Sequence, residues 1–279
     1  MTRNEQAFTL IEMLVVIAVV GLLASVILFN ASGSKEDARI VKLLEFSGTL
    51  HNVLGSELIG HWKLDEGSGD SAGDASGYGN NGIISGAQFT ADTPHQMLAQ
   101  GEGYWALAFF GGNDRITITD APSLDINQRI TVEAWVKLNS VPNNKAYTVV
   151  EKGNSCPTRN YGLYIDPDTA RLNFSLVGCN NTFSQKRITL GVWHHIAVTY
   201  SDLTGIAVYY IDGKFDSKQT HGGSPKLGDG INNRALQLGG DKLDGVLDAV
   251  RIYHQTFTSG QIEKLYAEGV EKHKLAESR

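Results

Sequence analysis

Between Asp65 and Gly82 the chain places Asp65, Glu66, Asp70, Asp74, Asn80 and Asn81 among six glycines. Closely spaced carboxylates and amides on a glycine-rich loop are what a hard cation such as Ca²⁺ requires: oxygen ligands on backbone free to wrap. The loop lacks the closing Glu of an EF-hand. The same residues also suit a solvated turn, where Asp and Asn tolerate left-handed backbone. Trp193-His194-His195 invites a metal or acid–base reading. Neighbours on a strand point to opposite faces, however, so the two imidazoles do not clamp one ion, and each reads as a packing or surface residue. Cys156 and Cys179 are the only cysteines. In an oxidising space an even pair suggests one disulfide, closing a loop of about 20 residues and worth about 3 kcal/mol. Two buried free thiols are the alternative, and two thiols without a nearby His make a poor metal site. No His-Glu-x-x-His pair or P-loop occurs.

The other chemically loaded residue is Glu12. From Phe8 to Phe29 it is the one charge in an apolar run with no polar face. About 20 such residues at roughly 1.5 Å each make a helix that spans a bilayer. A carboxylate there costs on the order of 3 kcal/mol and demands a partner. Cleavage after Ala7 would supply one, because the new amine of Phe8 in one subunit could neutralise Glu12 of its neighbour and stack helices in register.

Ala7 followed by Phe8-Thr9-Leu10-Ile11-Glu12 resembles the N-terminus of type IV pilins and pseudopilins. The resemblance implies a prepilin leader (1–7), a prepilin peptidase that cuts at Ala7 and N-methylates Phe8, and Glu12 as the assembly residue. Ala7 stands where that family prefers Gly, and Arg3 is offset by Glu5, so the leader is barely basic. The plainer alternatives are an ordinary signal peptide, with Ala31-Ser32-Gly33 as its site, or a simple anchor. After Phe29, Ser34 and Asp37 read as a fresh helix cap, and Ile40, Leu43, Leu44, Leu50, Val53 and Leu54 share one stripe. A pilin-like helix thus covers residues 8–55, with 8–29 in the membrane.

The chain has 279 residues and a formal charge of −6, with no basic stripe, so nucleic acid is not the expected partner. Beyond Gly60 β-branched and aromatic residues dominate between glycine and asparagine turns, the composition of an all-β body. Strands are expected over 59–65, 106–110, 115–119, 131–138, 147–151, 161–165, 171–176, 187–190, 194–200, 207–211, 235–238 and 245–253. Asp212-Gly213 marks the clearest hairpin turn. Trp62, Trp135 and Trp193 fall in these patterns as core residues, while Tyr104 and Trp105 are freer to stack on a sugar.

Four stretches in order resemble laminin-G-like, concanavalin-like jelly rolls: Trp62 to Gly82, Ile130 to Val136, Trp193 to Gly213, and Gly245 to Tyr253. Thr258 to Tyr266 fits the short helix that closes such domains. The resemblance covers residues 59–268, leaving 269–279 as a charged tail. It implies a structural Ca²⁺ held by Asp74, Asn80 and Asp248, with Asp65 beside them. The Glu-x-Asp-x-x-Glu run of the concanavalin-like glycosidases does not occur, so the chain reads as non-enzymatic.

The expected architecture is mainly β: a long N-terminal transmembrane and amphipathic helix followed by a concanavalin-like β-sandwich jelly roll. The expected role is a pilin-like or pseudopilin-like subunit, single-pass in the cytoplasmic membrane before assembly. Its extracytoplasmic head would recognise glycan or a surface protein. The alternatives are a membrane-anchored lectin-like protein that never polymerises, and a purely structural filament subunit.

Overall fold

The computed structural model describes residues 55–94, 105–140, 145–153, 158–223, 226–240 and 242–271. Ala7, Phe8, Glu12 and all but the last residue of the helix expected over 8–55 lie outside these residues. Among the described residues no helix is long and apolar enough to cross a membrane. The chain divides at Ser56/Glu57, and the second unit holds all the strands discussed here.

That unit is a sandwich of two antiparallel sheets. In chain order the strands are β1 (Leu58–Trp62), β2 (Ser71–Ala72), β3 (Gly82–Ser85), β4 (Gln88–Thr90), β5 (Ala106–Phe110), β6 (Arg115–Ile118), β7 (Arg129–Leu138) and β8 (Tyr147–Lys152). They continue as β9 (Tyr161–Ile165), β10 (Arg171–Leu176), β11 (Asn180–Arg187), β12 (Trp193–Ser201), β13 (Ile206–Ile211), β14 (Lys214–Thr220), β15 (Leu236–Leu238) and β16 (Asp244–Tyr253). The first sheet runs β14-β13-β12-β7-β16-β5-β4 and the second β11-β10-β9-β8-β15-β6-β3-β2. Strand β16 carries β5 along its first half and β1 along its second, with Ala249 at φ 46° in the bulge between them. A bulge bends the strand and changes its partner without ending it.

Alternation along the long strands makes the core. Val132, Ala134 and Val136 of β7, Ile196 and Val198 of β12, and Leu247 and Ile252 of β16 face Leu163, Leu172, Phe174 and Leu238 from the other sheet. The Asp212-Gly213 turn between β13 and β14 has φ 53° and 71°, the geometry that makes these two residues a hairpin signal. A C-terminal helix, Ser259–Glu271, buries Ile262 and Leu265. Tyr266 stacks on Trp135 at 5.6 Å, so the helix covers the outer side of the first sheet near β7.

Three expectations are corrected. The strand expected at 187–190 ends at Arg187 instead and begins at Asn180, with only an isolated bridge at Leu190. Its inward positions, Thr182 and Ser184, are polar and bury against other polar groups, so no apolar alternation announces it. The first strand stops at Trp62 rather than Asp65. Trp62 is core, but Trp135 lies under the C-terminal helix and Trp193 is half-buried, donating Nε1–H to Asp92 at 3.1 Å.

Candidate functional site

The oxygen-rich loop forms a closed hydrogen-bond unit. Asp74 Oδ1 accepts the backbone N–H of His61 and of Ser76, both at 2.9 Å. Its Oδ2 accepts the Ser76 hydroxyl at 2.7 Å and the Asn80 N–H at 2.9 Å. Asn80 in turn donates Nδ2 to the carbonyl of Ile59 and exchanges hydrogen bonds with Ser123, while its own carbonyl takes the Trp62 indole N–H at 2.8 Å. Asp65 is exposed beside this unit. Asp248 lies on β16 opposite Trp135, 6% exposed. Four protein donors fill both oxygens of Asp74, and among the described residues no cluster of three or more His, Cys, Asp and Glu is placed to hold a metal. Asp74 thereby fastens the loop to β1.

Cys179 sits at the tight turn between β10 and β11, with φ 61° following Gly178 at 74°. It is not a free thiol, and Cys156 lies outside the described residues. Trp105 is half-buried and packs over Gly67, where any Cβ would collide with its indole. Tyr104 lies outside the described residues.

A groove of about 570 Å³ lies where edge strand β11 of the second sheet meets edge strand β14 of the first. That volume suits a small ligand. Phe183 stands on its wall, 37% exposed. Arg171, Asn181, Gln185, Gln219 and Thr220 surround it. Beneath, the seam is locked: Tyr209 donates its hydroxyl to the Thr182 carbonyl at 2.7 Å, and His221 Nε2 meets Thr182 Oγ1 at 3.0 Å. Burial holds the His221 pKa down at about 4, keeping the ring neutral.

The groove's floor is shaped by a bulge in β11. Arg171 pairs with Arg187 and Asn173 with Phe183, so Ser184, Gln185 and Lys186 together stand opposite Leu172 alone. Ser184 Oγ replaces the missing ladder, accepting the Leu172 N–H at 2.9 Å and donating to the Lys186 carbonyl at 2.8 Å. Asp216 of β14 accepts the N–H of Gln185 at 2.6 Å and of Lys186 at 3.0 Å. An exposed aromatic ringed by planar amides and a guanidinium offers a stacking face and directional hydrogen bonds, which is the chemistry that recognises a hydroxylated ring.

Residues 110–263, more than half of the chain, match Laminin_G_3, the concanavalin A-like lectin/glucanases superfamily. The chain belongs to this superfamily. Residues 2–28 match the prokaryotic N-terminal methylation motif. No curated protein matches the sequence. Among solved structures, the concanavalin A-like body is similar to the binding domain of Paraclostridial Mosquitocidal Protein 1 (TM-score 0.58, 16% identity, 76% of this chain and 52% of that one). Botulinum neurotoxin type C, in a structure concerned with two ganglioside molecules, gives TM-score 0.58 at 14% identity over 78% and 52%. Trypanosoma rangeli sialidase gives 0.54 at 15% identity over 76% and 33%. The chain thus spans about half of the toxin chains and a third of the sialidase, and at these identities the likeness is one of fold.

Because the superfamily includes glucanases, the buried carboxylates matter. Glu133, 1% exposed, lies under the C-terminal helix between Arg251 Nη1 at 2.7 Å, His195 Nε2 at 3.0 Å and the Tyr253 hydroxyl at 3.2 Å. Burial raises its pKa, but the Arg251 charge and the hydrogen bonds of His195 and Arg251 outweigh it and bring the group down to about 2. Glu133 is a fixed anion with all its neighbours spoken for, not a proton donor. Glu151 on the outer side of the second sheet is likewise tied to Arg159, whose Nε and Nη2 approach Oε1 at 3.2 and 3.1 Å. His194 and His195 do point to opposite sides: His194 pairs with Asp212 at 2.9 Å, His195 with Glu133. The sequence passed over Glu133 and Arg251, although each is a charge flanked by apolar neighbours on its strand, and the two are cross-strand partners.

Proposed function

We propose that this chain is a pilin-like, non-enzymatic subunit that displays a carbohydrate-recognising head outside the membrane. The observation that carries the reading is the union, in one chain, of the prokaryotic N-terminal methylation motif and a lectin-superfamily body. Prepilin peptidase would cut after Ala7 and methylate Phe8, and Glu12 would pair with the terminal amine of a neighbouring subunit, since an unpaired carboxylate in lipid is costly. The helix anchors the chain in the cytoplasmic membrane before assembly and packs it with other pilin-like subunits afterwards. A Cys156–Cys179 disulfide would pin the β10–β11 turn in the oxidising space outside. The groove at Phe183 supports saccharide recognition, and the sialidase and toxin structures with the same fold include proteins solved with sialic acid or concerned with gangliosides. The availability of groove residues, set against carboxylates locked into buried networks, favours binding over hydrolysis.

The test is Glu12→Ala with immunogold electron microscopy on native cells. Wild-type label on fibres that vanishes in Glu12→Ala, while the protein stays membrane-inserted, supports the reading. Label on the envelope alone in both, with no fibres, would favour an anchored lectin. Fibres that form normally with Glu12→Ala would remove Glu12 from assembly.

A further inference from the structure

Arg171 and Arg187 stand directly opposite each other across β10 and β11. Like charges in this register repel, and their Cα atoms lie within about 5.5 Å. Among the described residues neither makes an ion pair, and Arg171 Nε is shielded from solvent without any hydrogen-bond partner. The same side of the same sheet shows how a guanidinium is otherwise satisfied. Arg159 has the Glu151 carboxylate, the Ser175 hydroxyl at 2.6 Å and the face of Tyr164 at 4.5 Å. The nearest acid to the arginine pair on β14, Asp216, is 8% exposed and already accepts two backbone N–H groups of the bulge and the Ser217 hydroxyl. Lys186 adds a third cation beside them, in a chain whose formal charge is −6.

The arrangement continues towards the aromatic. Asn173, two residues along β10, is 7% exposed, and its Oδ1 has no hydrogen-bond partner. Its cross-strand partner is Phe183. Two residues of strand span about 7 Å, about the reach from the acid group of a sugar to the far side of its ring. The bulge that sets this spacing is pinned from both sides, by Ser184 and by Asp216.

We propose that the β11–β14 groove takes an acidic saccharide: a carboxylate or sulfate between Arg171 and Arg187, with the sugar ring against Phe183. A guanidinium fork matches either oxyanion, and a charge-assisted hydrogen bond is the stronger kind. Gln185 and Gln219 are placed for the hydroxyls. This rests on the saccharide-recognition reading above and gives that reading its ligand class.

The experiment uses the full-length chain in detergent micelles with three fluorescent probes: tetragalacturonate, a heparin tetrasaccharide and neutral galactotetraose. Binding is followed by thermophoresis in 50 and 300 mM salt. Expected is binding of at least one acidic probe, about tenfold or more tighter than the neutral one and weaker at high salt. R171Q/R187Q weakens it about tenfold or more, and Phe183→Ala weakens it without changing the charge preference. The arginine double variant melts no lower than wild type, because among the described residues neither guanidinium has a protein partner to lose. Tetragalacturonate alone identifies a carboxylate ligand and heparin alone a sulfate, and both support the proposal. Equal binding of the neutral probe, untouched by R171Q/R187Q, overturns the acidic class and leaves saccharide recognition standing. Acidic binding indifferent to R171Q/R187Q, or a lowered melting temperature in that variant, overturns the arginine assignment. Failure of all three probes overturns this proposal and counts against saccharide recognition as well.

Discussion

Glu133→Gln is the sharpest test of how the sandwich is held. The substitution keeps the shape of the side chain and removes its charge. Arg251, with its side chain 12% exposed, then stays buried without an anion, and His195 loses the acceptor of its Nε2 contact. Removing one partner of a buried pair costs about 3–5 kcal/mol, because the other charge is stranded. The carboxylate itself gives a matching figure: its pKa falls from 4.5 to about 2 on folding, worth about 3 kcal/mol by linkage. For a domain of this size about 3 kcal/mol is a loss of roughly 6–12 °C in melting temperature. The sign with pH follows from the same shift. Glu133 is more acidic in the folded state, so its stabilisation is complete above pH 4.5 and disappears as pH falls towards 2. Thermal melts by tryptophan fluorescence between pH 7 and 2.5 should show wild type losing stability over that range and Glu133→Gln losing correspondingly less. A variant within 1 kcal/mol of wild type at pH 7, or one whose pH profile runs parallel to it, would refute the assignment of this network as a stabilising charge pair.

Three further outcomes follow from the geometry. His221 is held neutral to about pH 4 by burial, so the unfolded chain takes up a proton that the folded chain refuses; stability should fall as pH drops from 6.5 to 4, and His221→Gln should flatten that slope in urea titrations. Reduction should destabilise the wild type by about 3 kcal/mol and leave Cys156→Ser/Cys179→Ser unchanged; thiol titration finding two free groups in the native protein would contradict the pairing. Asp74→Ala should cost about 2 kcal/mol through its lost charge-assisted hydrogen bonds, while EDTA leaves the wild-type melt where it was. A chelator-induced drop restored by Ca²⁺ would reinstate the metal.

The sequence carried the sandwich because its long strands face a common apolar core. Ile130, Val132, Ala134 and Val136 alternate with Thr131, Glu133 and Trp135, and the structure puts the first set between the sheets and the second on the outer side of the sheet, with Trp135 under the helix. The Asp212-Gly213 turn was equally legible, since its positive φ values are the reason those residues are chosen. The loop around Asp74 was less legible, for a related reason. A dense set of oxygens reads the same whether it wraps an ion or the loop's own N–H groups. Only the geometry shows that His61, Ser76 and Asn80 supply all four donors to Asp74.

The groove was hidden by the rule that found the core. Where two sheets meet edge to edge, inward side chains do not all reach aliphatic neighbours. Thr182 faces the hydroxyl of Tyr209 and the ring of His221, and Ser184 serves the backbone of its own bulge. Such a strand shows no hydrophobic period, and Asn180-Asn181 at its start looks like a turn. Its outward residues gain meaning only once register is known: Arg171 and Arg187 are 16 positions apart in the chain, yet they are direct partners. Polar satisfaction inside the seam is what leaves the outer side free for recognition. Tyr209, His221 and Asp216 hold the two edges together, so Phe183 and the arginines need not contribute to closure. Substituting them should therefore change binding and leave the fold intact, whereas substituting Tyr209 should open the seam and lose both.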